Sequence, residues 1–482
     1  MTWQRLSPRM LLVHPVHELL RQLPLLVGGI VLGSTTGNPA WALAALGVTA
    51  LLGVARWFTT GYRIEPDEVR LRTGVLQRKV ISVPRNRIRS VQTDARLLHR
   101  LLGLAVLRVS TGQEAKGDSL FELDAVEVAQ VPRLRAILLN EPLQAAPAVA
   151  EPSAPEVVLA RWQPSWLRFA PLSVSGLAMI AAAVGGIYQT GVAAALQHSW
   201  VGQSGLTTVE RAGVAATVVL LAVVVLLASV VLAVLRSLTT YGNLVLTRRA
   251  EVLHLRHGLL RVREHTYDMG RLRGGTLRQP LLVRMFGGAR LDAVMTGVGG
   301  AGESSMLLPP CPIHTAESVL TALVGNARVV SGPLRGHGRS AARRRWTRAL
   351  GLPTAVGVVL AGLTATAGVA PWLWLGWAVL MVCGAWLAAD RVRALGHRVD
   401  GGWLVARAGS LERHRDCVAA AGIVGWTVRQ TLLQRRAGVA TLVAATAAGT
   451  KRYHVIDVPE QLAWTIAAQA SPWVADSRWA VP

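Results

Sequence analysis

Apolar runs and mixed, alternating segments follow one another along the chain. The clearest apolar run is 212–235, AGVAATVVLLAVVVLLASVVLAVL, longer than the roughly 20 residues that carry a helix across a bilayer. Residues 40–58, 170–190, 350–370 and 372–389 have the same character. Trp41 and Trp57 sit near the ends of the first of these, where amphipathic rings favour the interface. Residues 23–36 are shorter, rich in Gly and preceded by Arg21. Alone they read as an interfacial helix, or as a signal-like segment ahead of Pro39-Ala40-Trp41-Ala42. Paired with 40–58 they read as a span, and the runs then form three helical hairpins connected at 34–39, 191–211 and 368–371.

Each hairpin is followed by roughly 80 residues of mixed polarity in which one phrase recurs: LLHRLLG at 97–103, LLVRMFG at 281–287 and LLQRRAG at 432–438. Aligned on Gly74, Gly258 and Gly409, the apolar residues Ile88, Leu272 and Ile423 fall at one common distance. Gly103, Gly287 and Gly438 fall at another, and Gly112, Gly297 and Gly449 close the pattern. A frame of glycines and apolar anchors at fixed spacing marks a duplicated domain. Residues 64–72, 246–256 and 399–407 alternate ahead of the first glycine and read as strands. Residues 104–110, 289–295 and 439–444 read as strands after the later one. Helical stretches at 127–139, 315–324 and 460–470 end each copy, the second with Thr315 and Glu317 near its start as a cap region. The glycine after each Leu-Leu phrase permits a backbone turn. Arg100, Arg284 and Arg435 either tie that turn to carbonyls or a carboxylate, or contact a ligand.

Composition shifts the picture toward the membrane. Apolar residues make up 51% of the 482 and charged residues only 16%, poor in the charge that keeps a chain soluble. The net charge is +24, and Lys occurs only at 79, 116 and 451, so Arg carries the basic character. That excess reflects codon bias and topology, or attraction to anionic phosphate, which Arg grips with a planar fork. The hairpin connections hold a single basic residue, Arg211, whereas Arg56, Arg63, Arg161, Arg168, Arg236 and Arg391 flank the opposite ends. By the positive-inside rule both termini and all large polar segments face the cytoplasm. Cys311, Cys383 and Cys417 form no CxxC pair and imply neither a disulfide framework nor a metal site.

The run YRIEPDEVRLRTGVL from Tyr62, then IRSVQ from Ile88, RLLGL from Arg100 and VSTG from Val109, resembles the bacterial pleckstrin-homology-like multi-pass membrane proteins, the YdbT-like family. The wording is close over 62–112, whereas the second and third copies keep the frame without the wording. The resemblance implies a seven-stranded PH-like barrel with a C-terminal capping helix. It also implies interaction, membrane-stress or antimicrobial-resistance roles, with no catalytic mechanism and no cofactor.

The fold expected is therefore membrane α-helical plus β: three transmembrane hairpins, each followed by a cytoplasmic PH-like barrel. The chain divides into a juxtamembrane helix and first hairpin (1–60), PH-like domain 1 (61–140), an Ala/Pro linker (141–160) and the second hairpin (161–238). PH-like domain 2 (239–325), a basic linker (326–348), the third hairpin (349–392), PH-like domain 3 (393–470) and a tail (471–482) follow. Arg335, Arg339, Arg343, Arg344 and Arg345 in the basic linker serve as a topogenic anchor and as candidates for contact with anionic lipid. GVGGAG at 297–302 matches GxGxxG but leads to MLLPP, a strand and then a proline stop, instead of the helix that a dinucleotide site needs. His14, His17 and Glu18 have the order HxxHE and lack a third ligand. No aromatic-interleaved basic strand points to nucleic acid. The reading is a non-enzymatic scaffold in the bacterial inner membrane, crossing it six times and meeting a protein partner, another copy or anionic lipid. A transporter with accessory domains is the alternative, against which stands the lack of ionisable residues within 170–190, 212–235 and 350–389.

Overall fold

The computed structural model describes residues 4–5, 59, 61–65, 67–73, 79–84, 88, 90–95, 97–110, 121–139, 156–172, 214–296, 305–368 and 370–475. The apolar runs 23–36 and 40–58, most of 170–190, and the GxGxxG match lie outside these residues. So do His14, His17 and Glu18. The chain separates into two units, residues 1–161 with 239–270, and residues 162–238 with 271–482.

The alternating runs ahead of the frame glycines are hairpins and not single strands. In the first unit Gly61–Ile64 (β2) and Glu68–Thr73 (β3) are antiparallel around a turn closed by the Glu65 N–H on the Glu68 carbonyl at 2.8 Å. Lys79–Pro84 (β4) pairs with β3, and Gln4–Arg5 (β1) pairs with β2. The first sheet therefore takes a strand from the segment read as juxtamembrane helix. Ser90–Ala95 (β5), Leu104–Ser110 (β6) and Phe121–Glu127 (β7) form the next three strands. The short helix Leu97–Leu101 (α1) lies between β5 and β6, and Val131–Leu139 (α2) follows β7. Tyr62, Val69, Leu71 and Val83 from the first sheet share one core with Leu104, Leu107, Val109 and Leu123 from the second, and Leu134 and Leu138 of α2 close it. Each large apolar side chain so buried contributes about 1.5–3 kcal/mol, which is what holds two small sheets face to face.

The second of these sheets does not stop at β5. Its order is β7-β6-β5-β11-β10-β9-β8, where β8 is Val157–Arg161, β9 Val245–Arg249, β10 Val252–His257 and β11 Val262–Asp268. The end of the segment read as Ala/Pro linker is thus a strand, because Val157-Val158-Leu159 has the branched, apolar character that a sheet favours. Ala250 takes a left-handed turn (φ 49°) between β9 and β10. The helix Val214–Tyr241 (α3) runs into β9 and exposes Val223, Val224, Leu226, Leu227, Val231 and Leu232.

In the second unit the arrangement recurs. One sheet has the order β14-β13-β12-β17-β16-β15 and another β18-β19-β20. Leu272–Pro280 (β12), Gly288–Met295 (β13) and Met306–Pro312 (β14) carry the helix Ile313–Val324 (α5), with Leu281–Met285 (α4) between β12 and β13. Pro309 and Pro310, read as a stop, lie inside β14, where an edge strand tolerates proline. The α5 N-cap is Pro312 and makes no side-chain cap bond, so Thr315 and Glu317 lie within the helix. The segment read as basic linker holds the helix Ala327–Ser331 (α6) and the start of Gly338–Ala367 (α7). Pro371–Ala394 (α8) returns from α7. Gly396–Asp400 (β15) and Trp403–Ala408 (β16) form a hairpin around Gly401 and Gly402, both at positive φ, and Glu412–Ala419 (β17) follows. Ile423–Arg429 (β18), Leu432–Arg436 (α9), Val439–Thr446 (β19), Arg452–Pro459 (β20) and Glu460–Ala470 (α10) complete the unit. Leu404, Ala406 and Val418 share a core with Leu442, Val455 and Ile466, so this copy packs its two sheets on one core despite its small residues.

The helices α7 and α8 are long and apolar enough to cross a membrane over 338–366 and 371–394, and only 11% and 6% of their apolar windows are buried. A helix hydrophobic on faces that no protein covers is not a soluble core helix. Gly357 permits close approach, since a Cβ there would meet Trp377 at 2.5 Å, whereas Gly362 faces open space.

Candidate functional site

The recurring Leu-Leu phrase is a single helical turn. The N–H of Gly103, Gly287 and Gly438 donates to the carbonyl of Arg100, Arg284 and Arg435 at 3.2, 3.0 and 3.1 Å, with positive φ at each glycine. That is a left-handed helix end, which glycine adopts without a Cβ penalty. Gly258 and Gly409 serve a different turn. A Cβ on either would run into the carbonyl three residues ahead, that of Arg261 or Glu412. Gly74 lies outside the described residues.

The arginines tie a later segment and not their own turn. Arg100 donates to the Leu259 carbonyl at 2.8 Å, in the loop that leads to β11. Arg284 pairs with Asp390 at 2.8 Å, and Arg413 meets the other oxygen of that carboxylate at 2.7 Å. Leu259 belongs to the copy that follows, and Asp390 to the end of α8, the helix that leads into the next copy. Arg435, the equivalent residue of the last copy, is exposed.

Two strand pairs join successive copies, β5 with β11 and β12 with β17, both antiparallel. Their register is the same in the repeat frame. Asp94 stands opposite Arg263, and the frame equivalents Arg278 and His414 stand opposite each other. Each junction has an ion pair between equivalent positions, with its polarity reversed. Arg261 donates to Asp94 through Nε at 2.7 and 2.8 Å, and Arg278 donates to Glu412 at 3.0 Å. Burial pushes the Asp94 carboxyl up, but the Arg261 guanidinium outweighs it and holds the group below the usual carboxylate range. In the second junction the buried Thr276 also donates to Asp416 at 2.8 Å.

The basic residues at the foot of α7 divide into two groups. Arg344 and Arg345 reach the fully buried Asp457 at 2.5 and 2.7 Å. These two candidates for lipid contact are committed to an internal carboxylate, because an unpaired charge at that depth would cost several kcal/mol. Arg335 pairs its backbone with His397 in both directions, at 2.8 and 3.0 Å, and exposes its side chain. Arg339 and Arg343 are exposed on the helix. The fold also adds two residues to the group. Arg348 and Arg391 join the inner side of Arg345 around a cavity of about 380 Å³, with Glu412, His414 and Ile456 also in its wall. Arg391 was visible only as a hairpin-flanking charge, and Asp457 gave no signal, since nothing local distinguishes it from a surface acid.

Beside this foot His337 donates from Nδ1 to the Ile456 carbonyl at 2.8 Å, and its Nε2 lies 2.9 Å from His397 Nδ1. Burial first, then His337 and Arg335, pushes His397 down to about 4, and burial lowers His337 as well. The pair is neutral near pH 7.

PH-like sheets, a C-terminal capping helix and apolar hairpin helices are the geometry against which the comparisons stand. A search of curated proteins and one of solved structures found no match. The bacterial PH domain family matches twice, over residues 19–142 and 349–470, the first match taking in β2 to α2 and the second most of α7, all of α8 and the β region after them. PH-like domains are protein- or lipid-interaction modules, and the matched residues are just over half of the chain, which therefore belongs to the bacterial PH domain family.

Proposed function

We propose that the protein is a membrane-anchored interaction scaffold of the YdbT-like kind, with three PH-like domains at the cytoplasmic face of a bacterial inner membrane. Six spans arranged as three hairpins, and a PH-like reading of the second copy, belong to this proposal. The shared glycine frame and the arginine asymmetry across the span connections support them. At the foot of the third hairpin the scaffold holds an anionic lipid head group. The observation that carries this reading is the convergence of Arg345, Arg348 and Arg391 on one cavity where two exposed apolar helices end. Arg345 already answers Asp457, which leaves Arg348 and Arg391 to meet a phosphate.

The test uses the full chain, delipidated in neutral detergent and then supplied with phosphatidylglycerol or phosphatidylcholine. Phosphatidylglycerol should raise the melting temperature and phosphatidylcholine should not. Arg348→Gln with Arg391→Gln should remove most of the difference, because each basic residue contributes about 1 kcal/mol near anionic lipid. Equal responses to the two lipids in the unaltered protein would exclude a head-group site.

A further inference from the structure

We infer that the open edge of β18 takes strand β4 of a second copy of this chain, in the register of the two internal junctions. Those junctions are built alike. In each, the first strand of a copy's second sheet pairs with the third strand of the next copy's first sheet. The last copy supplies the first kind of strand as β18 and the first copy supplies the other kind as β4. Both stand at the ends of their sheets among the described residues. Among the described residues, one chain thus carries one unpaired half of each kind. A sheet edge offers a row of backbone donors and acceptors, and adding a strand is the way such an edge is satisfied.

The side chains around β18 are those of a junction without its partner. Thr276, buried and bonded to Asp416 in the second junction, has Thr427 as its frame equivalent, and Thr427 is exposed. Leu281 is half-buried under the loop of the next copy, its N–H donating to the Leu411 carbonyl at 2.7 Å. Its equivalent Leu432 is 80% exposed, Leu433 next to it is 64% exposed, and Val424 at the far end of β18 is 70% exposed. On the other half, Val80 of β4 is 55% exposed. Placing β4 on β18 in the internal register sets Val80 opposite Val428, Ile81 opposite Thr427 and Lys79 opposite Arg429. The two valines gain a cross-strand contact, and the two cations repel. The association is therefore weak at low salt and strengthens as salt screens that pair. The contact is head to tail, so copies add until a ring closes or a row forms.

The test uses full-length protein in detergent with Cys383→Ala as background, because Cys311 and Cys417 are buried. Two populations, one with Val80→Cys and one with Val428→Cys, are mixed and oxidised. Directly opposed strand residues lie within disulfide reach. A mixed dimer should form, growing with added salt, and Val424→Cys in place of Val428→Cys should give little. Arg429→Asp sets a carboxylate opposite Lys79, as Asp94 stands opposite Arg263. It should raise the yield roughly three- to tenfold, the swing from a like to an unlike cross-strand pair. No mixed dimer, equal yield at 424 and 428, or no gain from Arg429→Asp would overturn the proposal. Another protein occupying this edge in cells would leave the purified chains uncrosslinked and counts against it too.

Discussion

The β5–β11 junction and the β12–β17 junction use one backbone register and opposite charges. In the first, a buried carboxylate sits on the earlier copy and Arg261 comes from the later one. In the second, Arg278 sits on the earlier copy and a half-exposed Glu412 comes from the later one. Backbone pairing alone would let either edge accept either strand. Reversing the polarity makes the wrong pairing a contact between like charges, which discriminates by repulsion as well as by attraction. The two pairs differ in depth as well as in sign. The Asp94 side chain is 6% exposed, whereas that of Glu412 is 49% exposed.

The largest effect should come from the element the junctions share. Gly258→Ala and Gly409→Ala each place a Cβ against a backbone carbonyl at a positive φ that only glycine adopts freely. Each should cost roughly 3 kcal/mol or more by the strain that such positions impose, read as a fall in melting temperature. A large effect at one site and none at the other would break the equivalence of the two turns.

Acid should act on the second unit through His337 and His397. Both are neutral in the fold and have an unfolded value near 6.5. The unfolded chain therefore binds protons first as pH falls, and stability declines from about pH 6.5 down to about 4. For His397 alone the full loss is roughly 3 kcal/mol. Hydrogen exchange across 396–400 should quicken over that range, and His397→Gln should flatten the dependence. Exchange unaffected by pH, after correction for the intrinsic rate, would remove the pair as a source of acid sensitivity.

The smallest effects concern the ion pairs. Arg261→Ala leaves Asp94 buried with Arg108 at 3.7 Å and Arg263 opposite it but without its bonded partner, and should cost about 2 kcal/mol. Glu412→Ala removes an exposed partner from Arg278, which keeps Asp292 at 2.8 Å, and should cost under about 1 kcal/mol. Chemical denaturation of the two variants would measure the difference, and equal costs would mean that depth does not set the value of these pairs.

The sequence by itself determined the periodic frame, the glycine turns, the strands that follow them and the apolar hairpin of α7 and α8. All of these are local: a left-handed helix end, a run of alternating residues and a length of apolar chain are each written within a few turns of the backbone. Even there, the hairpins at 246–256 and 399–407 read as single strands. Their turns at Ala250 and at Gly401-Gly402 interrupt the alternation too briefly to show. Only the tertiary structure decided where the arginines point. Arg100 binds the next copy, Arg284 binds Asp390 at the end of the helix leading into the next copy, and Arg344 and Arg345 bind Asp457, because a charged side chain goes to the partner that folding desolvates beside it. The same holds for the sheets that run from one copy into the next. Backbone donors and acceptors are alike in every strand, so which edges meet is set by the packing of the cores on either side of them.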